Sequence, residues 1–433
     1  MIAFTIAFLC IIALIIRKPG KFTEGGTALL GLFFLILITL LGWPDIPSAI
    51  VGTELFRPFH IVVILMSLAV ISTSLDDYGF FKYASHRAIL WSKNNGKVLF
   101  RNFFILTILL TTFTSNDVDV LTVTPIILWF AMTSKINPFP YLISVFVVAN
   151  TSSMEFLIGN LTNIVIGTVF QLDFTEFFLV MVVPTIITLF VQFLILRLIF
   201  HRQLPDRILK PDELKTVQKK LESSLVNKKQ NIFLLTVLGL VIVGSVLSDF
   251  LPIELWMVAL LGALVILFSN EFDVKERLRV IPWDVAVFVL VFIVLTNKLQ
   301  TLGVVDYLAS FFAGLFTTHV QSVYVSGLLG GVISGIINNI PASISLSSAL
   351  HTLAAGLDVA TSKAIAYGLV VGTNLGALFT PVGALATIMW LNITRRKGFA
   401  IPIKKLLGYG LTMGIISVFV ASSIIAIEFI LFY

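Results

Sequence analysis

The stretch Phe113-Thr-Ser-Asn-Asp-Val-Asp-Val-Leu-Thr-Val-Thr-Pro125 sets Ser115, Asn116 and two carboxylates, Asp117 and Asp119, between apolar flanks. Ionisable groups at membrane depth are costly and by default mark function. A second polar break, Gly335-Ile-Ile-Asn-Asn-Ile-Pro341, lies in the other half of the chain. Whether each break sits in a span or at the tip of a hairpin decides the fold.

The 433 residues are 58% hydrophobic and only 12% charged, with a mean hydropathy of +1.03. A soluble domain is nearer about a quarter charged. Several apolar runs approach the roughly 20 residues that cross a bilayer. They are continuous, unlike the short alternating segments of a β-barrel. The chain therefore reads as an all-α polytopic protein of the cell (inner) membrane. Its net charge of +6 comes from basic residues in short loops between apolar runs. That is the positive-inside pattern and not a nucleic-acid surface. The single cysteine, Cys10, excludes an intrachain disulfide and a Cys-based metal site. Residues 2–16 lack the basic start and small-residue cleavage site of a signal peptide, and Arg17 and Lys18 follow them. A retained first helix is expected there.

Charge settles the topology. Spans are expected at 2–16, 27–41 and 61–75, and the loop 76–101 with Lys82, Arg87, Lys93, Lys97 and Arg101 is placed in the cytoplasm. If residues 102–134 formed one span, the loop 201–230, with Arg202, Arg207, Lys210, Lys215, Lys219, Lys220, Lys228 and Lys229, would fall outside. A re-entrant hairpin with its tip at 115–117 restores that loop to the cytoplasm. Backbone at such a tip is tolerated only where protein or water covers it. Residues 140–170 then form one span, broken through Asn150-Thr-Ser-Ser-Met-Glu-Phe-Leu-Ile-Gly-Asn-Leu-Thr-Asn163, and 177–200 the next, with Pro184 inside it. Within the cytoplasmic linker, residues 211–225 have the pattern of a short amphipathic helix.

The second half repeats the plan. Spans are expected at 233–247, 255–267 and 285–296, a surface stretch at 307–316, and a second hairpin at 323–350 with its tip at 338–341. A second broken span covers 364–393 and a last helix 409–432. The expected fold is an inverted repeat of two five-span halves, each with one re-entrant hairpin and one broken transmembrane helix. Its units are residues 1–200, a basic cytoplasmic linker at 201–230, and 231–433, with both termini outside. Inverted repeats with interrupted helices in matching positions are the best sequence pointer to a transporter site.

Four breaks are then expected to meet at the midplane. Helix N-termini there offer free N–H groups and about half a positive charge each. Asp117 is the first candidate for proton or cation coupling, with Asp119 and Glu155 beside it. Capping of the helix that follows is the structural alternative for Asp117. Ser115, Asn116, Asn150, Thr151, Asn160, Asn338, Asn339, Thr373, Asn374 and Thr380 are candidate solute ligands, because amides and hydroxyls both donate and accept. No Walker loop, His/Cys cluster or nucleophile elbow is present, so no enzyme activity, cofactor or metal is expected.

These motifs resemble the arsenite efflux permease family, within the wider ion-transporter superfamily. The carriers of the resemblance are Ser115-Asn-Asp-Val-Asp-Val-Leu-Thr-Val-Thr-Pro-Ile-Ile127, Ile337-Asn-Asn-Ile-Pro341 and Thr380-Pro-Val-Gly-Ala-Leu-Ala-Thr-Ile-Met-Trp-Leu391. The resemblance implies export of arsenite and antimonite as neutral trihydroxides, driven by proton entry through alternating access. It leaves open a soluble ATPase subunit as partner and association of the chain with itself. The chain departs from that pattern in having Asn150 and Asn374 where Asp is common, and Glu155 where an apolar residue or Pro is usual. The competing readings are a carrier of sodium, a dicarboxylate or another anion, and a membrane scaffold without transport.

Overall fold

The computed structural model describes residues 1–433 except 18–22, 53–56, 115, 210–227, 270–280, 282 and 433. At 113, 116–121, 305, 306, 308, 309 and 385 it describes backbone only. The described residues form helices and connections, with no strand. The first half comprises α1 (Ile2–Arg17), α2 (Glu24–Leu37), α3 (Asp45–Val51), α4 (Pro58–Asp77), α5 (Phe80–Trp91), α6 (Gly96–Phe113), α7 (Asn116–Thr133), α8 (Phe139–Ser152), α9 (Leu161–Phe170) and α10 (Phe174–Phe200). The second comprises α11 (Lys228–Leu247), α12 (Leu255–Leu267), α13 (Trp283–Thr301), α14 (Val304–Phe312), α15 (His319–Ile337), α16 (Asn339–Ala354), α17 (Val359–Leu375), α18 (Leu385–Arg396) and α19 (Ile403–Phe432).

From α4 to α10 and again from α13 to α19 one order recurs: long helix, short helix, hairpin pair, interrupted pair, long final helix. Among the described residues, six helices are long and apolar enough to cross a membrane: α4, α10, α11, α13, α15 and α19. The chain is a polytopic membrane protein.

Local chemistry sets the ends of the pieces. Asn95 starts α6 by accepting from the N–H groups of Lys97 and Val98, Thr318 caps α15 and Asp358 caps α17. Between α15 and α16 the chain reverses at Asn338, whose φ of +83° suits Asn far better than a branched residue. One expectation is corrected here. Residues 80–91, read as loop, form α5, which enters from the left-handed Gly79 and mixes Lys82 and Arg87 with Phe80, Phe81 and Trp91. Its mixed composition hid it from a reading tuned to apolar spans. The expected amphipathic helix at 211–225 lies outside the described residues.

The first hairpin returns to the side it came from. At its entry, the N–H of Gly96 donates to Pro205 O at 2.8 Å, and the N–H of Leu209 donates to Asn94 Oδ1 at 2.7 Å. Past its exit, Asn137 Nδ2 donates to Gln203 Oε1 at 3.0 Å. Both ends therefore touch residues 201–209, just beyond the end of α10. The second hairpin opens at the other end of α10. Its entry residue His319 stacks near Phe429, which neighbours Tyr367, which neighbours Phe177 in the first turn of α10. Its exit residue His351 meets Phe170, just before α10, with ring centroids 5.4 Å apart.

The interrupted pairs form the centre. Every residue of α8 is buried, and α17 is buried from Ala364 to Leu375. Helices α10 and α19 pack around them and turn Leu179, Phe190, Phe419 and Ile430 outward. Lipid gives helices no hydrophobic reason to associate, so small residues that let backbones approach take over. The α15–α17 seam does this with glycine. A Cβ on Gly372 would stand 2.9 Å from Gly330 Cα, and one on Gly376 would stand 2.8 Å from Gly331 Cα.

Candidate functional site

Each interrupted pair carries a short irregular segment at the centre of the molecule. The first runs from Ser153 to Asn160, between α8 and α9, and the second from Gly376 to Ala384, between α17 and α18. Asn160 caps α9 by accepting from the N–H of Thr162. Ala384, its counterpart before α18, has no side chain with which to cap. The first-turn N–H groups of α18 are thus left to backbone, water or a ligand.

The two breaks are tied across the halves by an amide ladder. Asn160 Nδ2 donates to Asn374 Oδ1 at 2.7 Å, and Asn374 Nδ2 donates to Asn163 Oδ1 at 2.7 Å. Ser153 Oγ donates to the same Asn374 oxygen at 3.0 Å, and Asn374 Nδ2 also reaches Val370 O at 2.8 Å. Asn163 in turn donates to Ser153 O at 2.8 Å and Phe156 O at 2.9 Å, which fixes the shape of the first break. Asn374 thus uses both amide hydrogens and both oxygen lone pairs on protein, with no exposed surface. A carboxylate there has no hydrogen to give to Asn163 Oδ1, which accounts physically for Asn at this position.

The second hairpin tip is stitched to the second break. The N–H of Asn339 donates to Gly383 O at 2.9 Å, and Asn338 Nδ2 donates to Val382 O at 3.1 Å. Thr380 Oγ1 donates to Gly335 O, and Ser334 Oγ donates to Thr373 O at 3.0 Å. Asn339 is 4% exposed, and Asn338 Oδ1 accepts from the N–H of Ile340 at 3.2 Å. Thr373 Oγ1 back-bonds to Leu369 O at 2.9 Å within its own helix.

On the first half, Glu155 is the carboxylate that the described residues place in a break. It accepts from Thr112 Oγ1 on α6 at 3.1 Å. Asn150 is buried and donates to Phe146 O at 2.8 Å. Thr151 back-bonds to Val147 O and accepts from Gln192 Nε2 at 2.6 Å. Ser115 lies outside the described residues, as do the side chains of Asn116, Asp117 and Asp119 at the start of α7. The packing is crossed between halves: α7, the return arm of the first hairpin, lies against α18, and α16, the return arm of the second, lies against α9. Each return arm thus lies against the other half's interrupted pair, while the second tip is bonded to the break of its own half.

Sequence reasoning passed over several of these residues. Gln192, fully buried in α10, donates to both Thr151 and Ser417 and ties three helices. An amide inside an apolar run was the available signal. Trp390 is fully buried and stacks on Phe146 at 5.0 Å, with its indole N–H unpartnered among the described residues.

Paired hairpins, crossed against paired breaks and closed by buried amides, define a membrane transporter. The model of the citrate transporter family matches residues 11–372, and the chain belongs to that family. It is similar along nearly its whole length to an arsenical pump membrane protein of Escherichia coli, at 26% identity over 97% of each chain. A putative arsenical pump membrane protein of Bacillus subtilis is 24% identical over 90% of this chain and 91% of its own. Among solved structures, the YdaH transporter of Alcanivorax borkumensis has the same fold, with a TM-score of 0.57, 13% identity, and coverage of 100% of this chain and 98% of that one.

Proposed function

We propose that this chain exports arsenite and antimonite as neutral trihydroxides in exchange for protons, by alternating access between two inverted halves. The halves are residues 1–200 and 231–433, joined by a cytoplasmic linker at 201–230, with both termini outside. The opposite opening of the two hairpins along α10 supports the inversion.

The observation that carries the substrate is the chemistry of the breaks. Residues 150–163, 335–341 and 372–387 contain Asn, Ser, Thr and one acid, Glu155, and no Lys, Arg or His. Relatives of nearly full length are named for arsenicals, and the matched family is named for citrate. A polycarboxylate held here lacks a cationic partner in these breaks, and the motifs add only acids, Asp117, Asp119 and Glu155. Burying such an unpaired anion is costly. As(OH)3 instead exchanges its water hydrogen bonds for amides and hydroxyls. Asp117, with Asp119 and Glu155, carries the proton, while Ser115, Asn116, Asn338, Asn339 and Thr380 hold the solute. Asn150, Thr151, Asn160, Thr373 and Asn374 shape the walls. A soluble ATPase subunit and self-association stay open as partners.

The test uses everted vesicles containing the purified protein under an imposed proton gradient. Accumulation of arsenite and antimonite, with none of citrate, succinate or sodium, is the expected outcome. Proton-dependent citrate accumulation without arsenite would replace this reading with the one its family name suggests.

A further inference from the structure

Helices α13 and α16 run side by side, and their seam holds two cavities. The larger, of about 230 Å³, lies at the end where the second hairpin opens, on the face opposite residues 201–209. Its polar lining is Thr296, Asn297 and Gln300 from α13, with Ser348, His351 and Thr352 from α16. Gln300 and Thr352 are exposed and Thr296 is buried, so the cavity narrows inward from solvent. The smaller, of about 10 Å³, sits at the hairpin tip between Phe288 and Phe292 of α13 and Asn338, Pro341 and Val382. That is room for about one water molecule.

One helical turn, about 5 Å, separates the cavities along α16, from Pro341 to Ile344. The partition is Phe292 and Ile344, 1% and 3% exposed, beside a 3.3 Å hydrogen bond between the Thr296 and Ser345 hydroxyls. At the tip side stands Asn339, 4% exposed.

We propose that the larger cavity is a vestibule subsite for an uncharged, hydroxyl-bearing solute, and that Phe292, Ile344 and the Thr296–Ser345 pair are the constriction between it and the hairpin tip. The solute class rests on the transport reading above; the vestibule rests on the seam itself. The cavity is large enough to hold several waters and has the polar groups to keep them. Its described lining has amide and hydroxyl donors and acceptors, with no Asp, Glu, Lys or Arg. An ion entering it loses hydration with no counter-charge to meet. A neutral hydroxylated molecule loses only hydrogen bonds that Asn297, Gln300 and Ser348 can replace. The Gln300 carboxamide oxygen already accepts from Ser348 Oγ at 2.9 Å, which holds these two groups on one wall.

The test needs no transport. In a Cys10→Ser background, Ser348→Cys probes the vestibule and Phe288→Cys, which lines only the smaller cavity, the far side of the constriction. Both are treated with a membrane-impermeant thiol reagent in intact cells and in everted vesicles. Ser348→Cys is expected to react from the face opposite residues 201–209, and Phe288→Cys to react about tenfold more slowly, as a closed packing layer requires. Ile344→Ala is expected to raise the Phe288→Cys rate. Asn297→Cys, on α13, gives an independent reading of the vestibule. Boric acid, a neutral trihydroxide unreactive toward thiols, is expected to slow labelling of Ser348→Cys about threefold at millimolar concentration. Citrate is expected to leave it unchanged. Absence of labelling at both vestibule cysteines from either face, equal rates on the two sides of the constriction, or protection by citrate and not by boric acid overturns the proposal. If the unmodified protein fails to accumulate arsenite, the transport reading falls, while the labelling pattern still decides the vestibule.

Discussion

The seam between α15 and α17 is built from glycine, with Gly327, Gly330 and Gly331 facing Gly368, Gly372 and Gly376 so closely that backbone meets backbone. The corresponding seam between α6 and α8 is built from side chains. Tyr141 lies within 6.3 Å of the Phe100 ring and 6.4 Å of the Phe103 ring, and its hydroxyl donates to Gly96 O at 3.3 Å. The difference separates two ways of holding an arm against a broken helix. Backbone contact leaves little freedom to repack, whereas rings can trade neighbours. Chemistry divides along the same line. The first half brings the acids, Glu155 in its break and Asp117 and Asp119 at the start of α7. The second brings the amides Asn338, Asn339 and Asn374 on the stiffer frame. We read the first half as the side that handles charge and the second as the side that grips the solute.

The largest effect expected to test that division is at Asp117. Asp117→Asn should reduce proton-driven arsenite accumulation to the level of empty vesicles while the protein still elutes as a folded species. Wild-type accumulation would move the coupling elsewhere in the first half.

Gly372→Val tests the glycine seam. The added carbons have no room beside Gly330 and Gly331, and overpacking of about 3 kcal/mol or more is expected as a large drop in melting temperature in detergent. A small drop would show that this seam repacks as easily as its partner.

Next comes the ladder between halves. Asn374→Ala leaves Asn160 Nδ2, Asn163 Oδ1 and Ser153 Oγ without their shared partner, a cost of about 2–3 kcal/mol by the same melting assay. Asn374→Asp should cost as much, since it restores volume but not the donor to Asn163.

Asn339→Ala sharpens the comparison directly. Loss of a single neutral hydrogen bond to the solute, about 1.4 kcal/mol, should raise the half-saturating arsenite concentration about tenfold. The protons moved per arsenite should stay the same. A change in coupling with no change in affinity would exchange the roles of the halves. The smallest effect is at Ser144, whose buried hydroxyl has no partner among the described residues. Ser144→Ala should alter stability by less than about 0.5 kcal/mol.

Much of this architecture was readable before any coordinates. A polar break inside an apolar run is hard to mistake, because nothing else excuses Asn and Ser at that depth. Both breaks fall within the expected broken spans, 140–170 and 364–393, and the second hairpin turns at Asn338, inside its expected tip. The short helices α3 and α5 escaped, since mixed surfaces carry no clear period in a chain dominated by lipid-facing runs. The amide ladder was out of reach for a different reason. Asn374 and Asn160 were both flagged, but as ligands for a solute; nothing in their local sequence says that their partners are each other. The glycine seam was available and passed over: Gly368, Gly372 and Gly376 recur every four residues, the spacing of small residues that bring membrane helices together.

The most direct test of the whole account is proton movement driven by the solute. Everted vesicles holding the purified protein and a pH-sensitive dye are brought to an equilibrated pH, and arsenite is added on one side. The account predicts an immediate opposing proton flux in proportion to arsenite carried, absent with citrate and absent in Asp117→Asn. Arsenite movement without any proton flux, or a proton flux evoked by citrate alone, would contradict it.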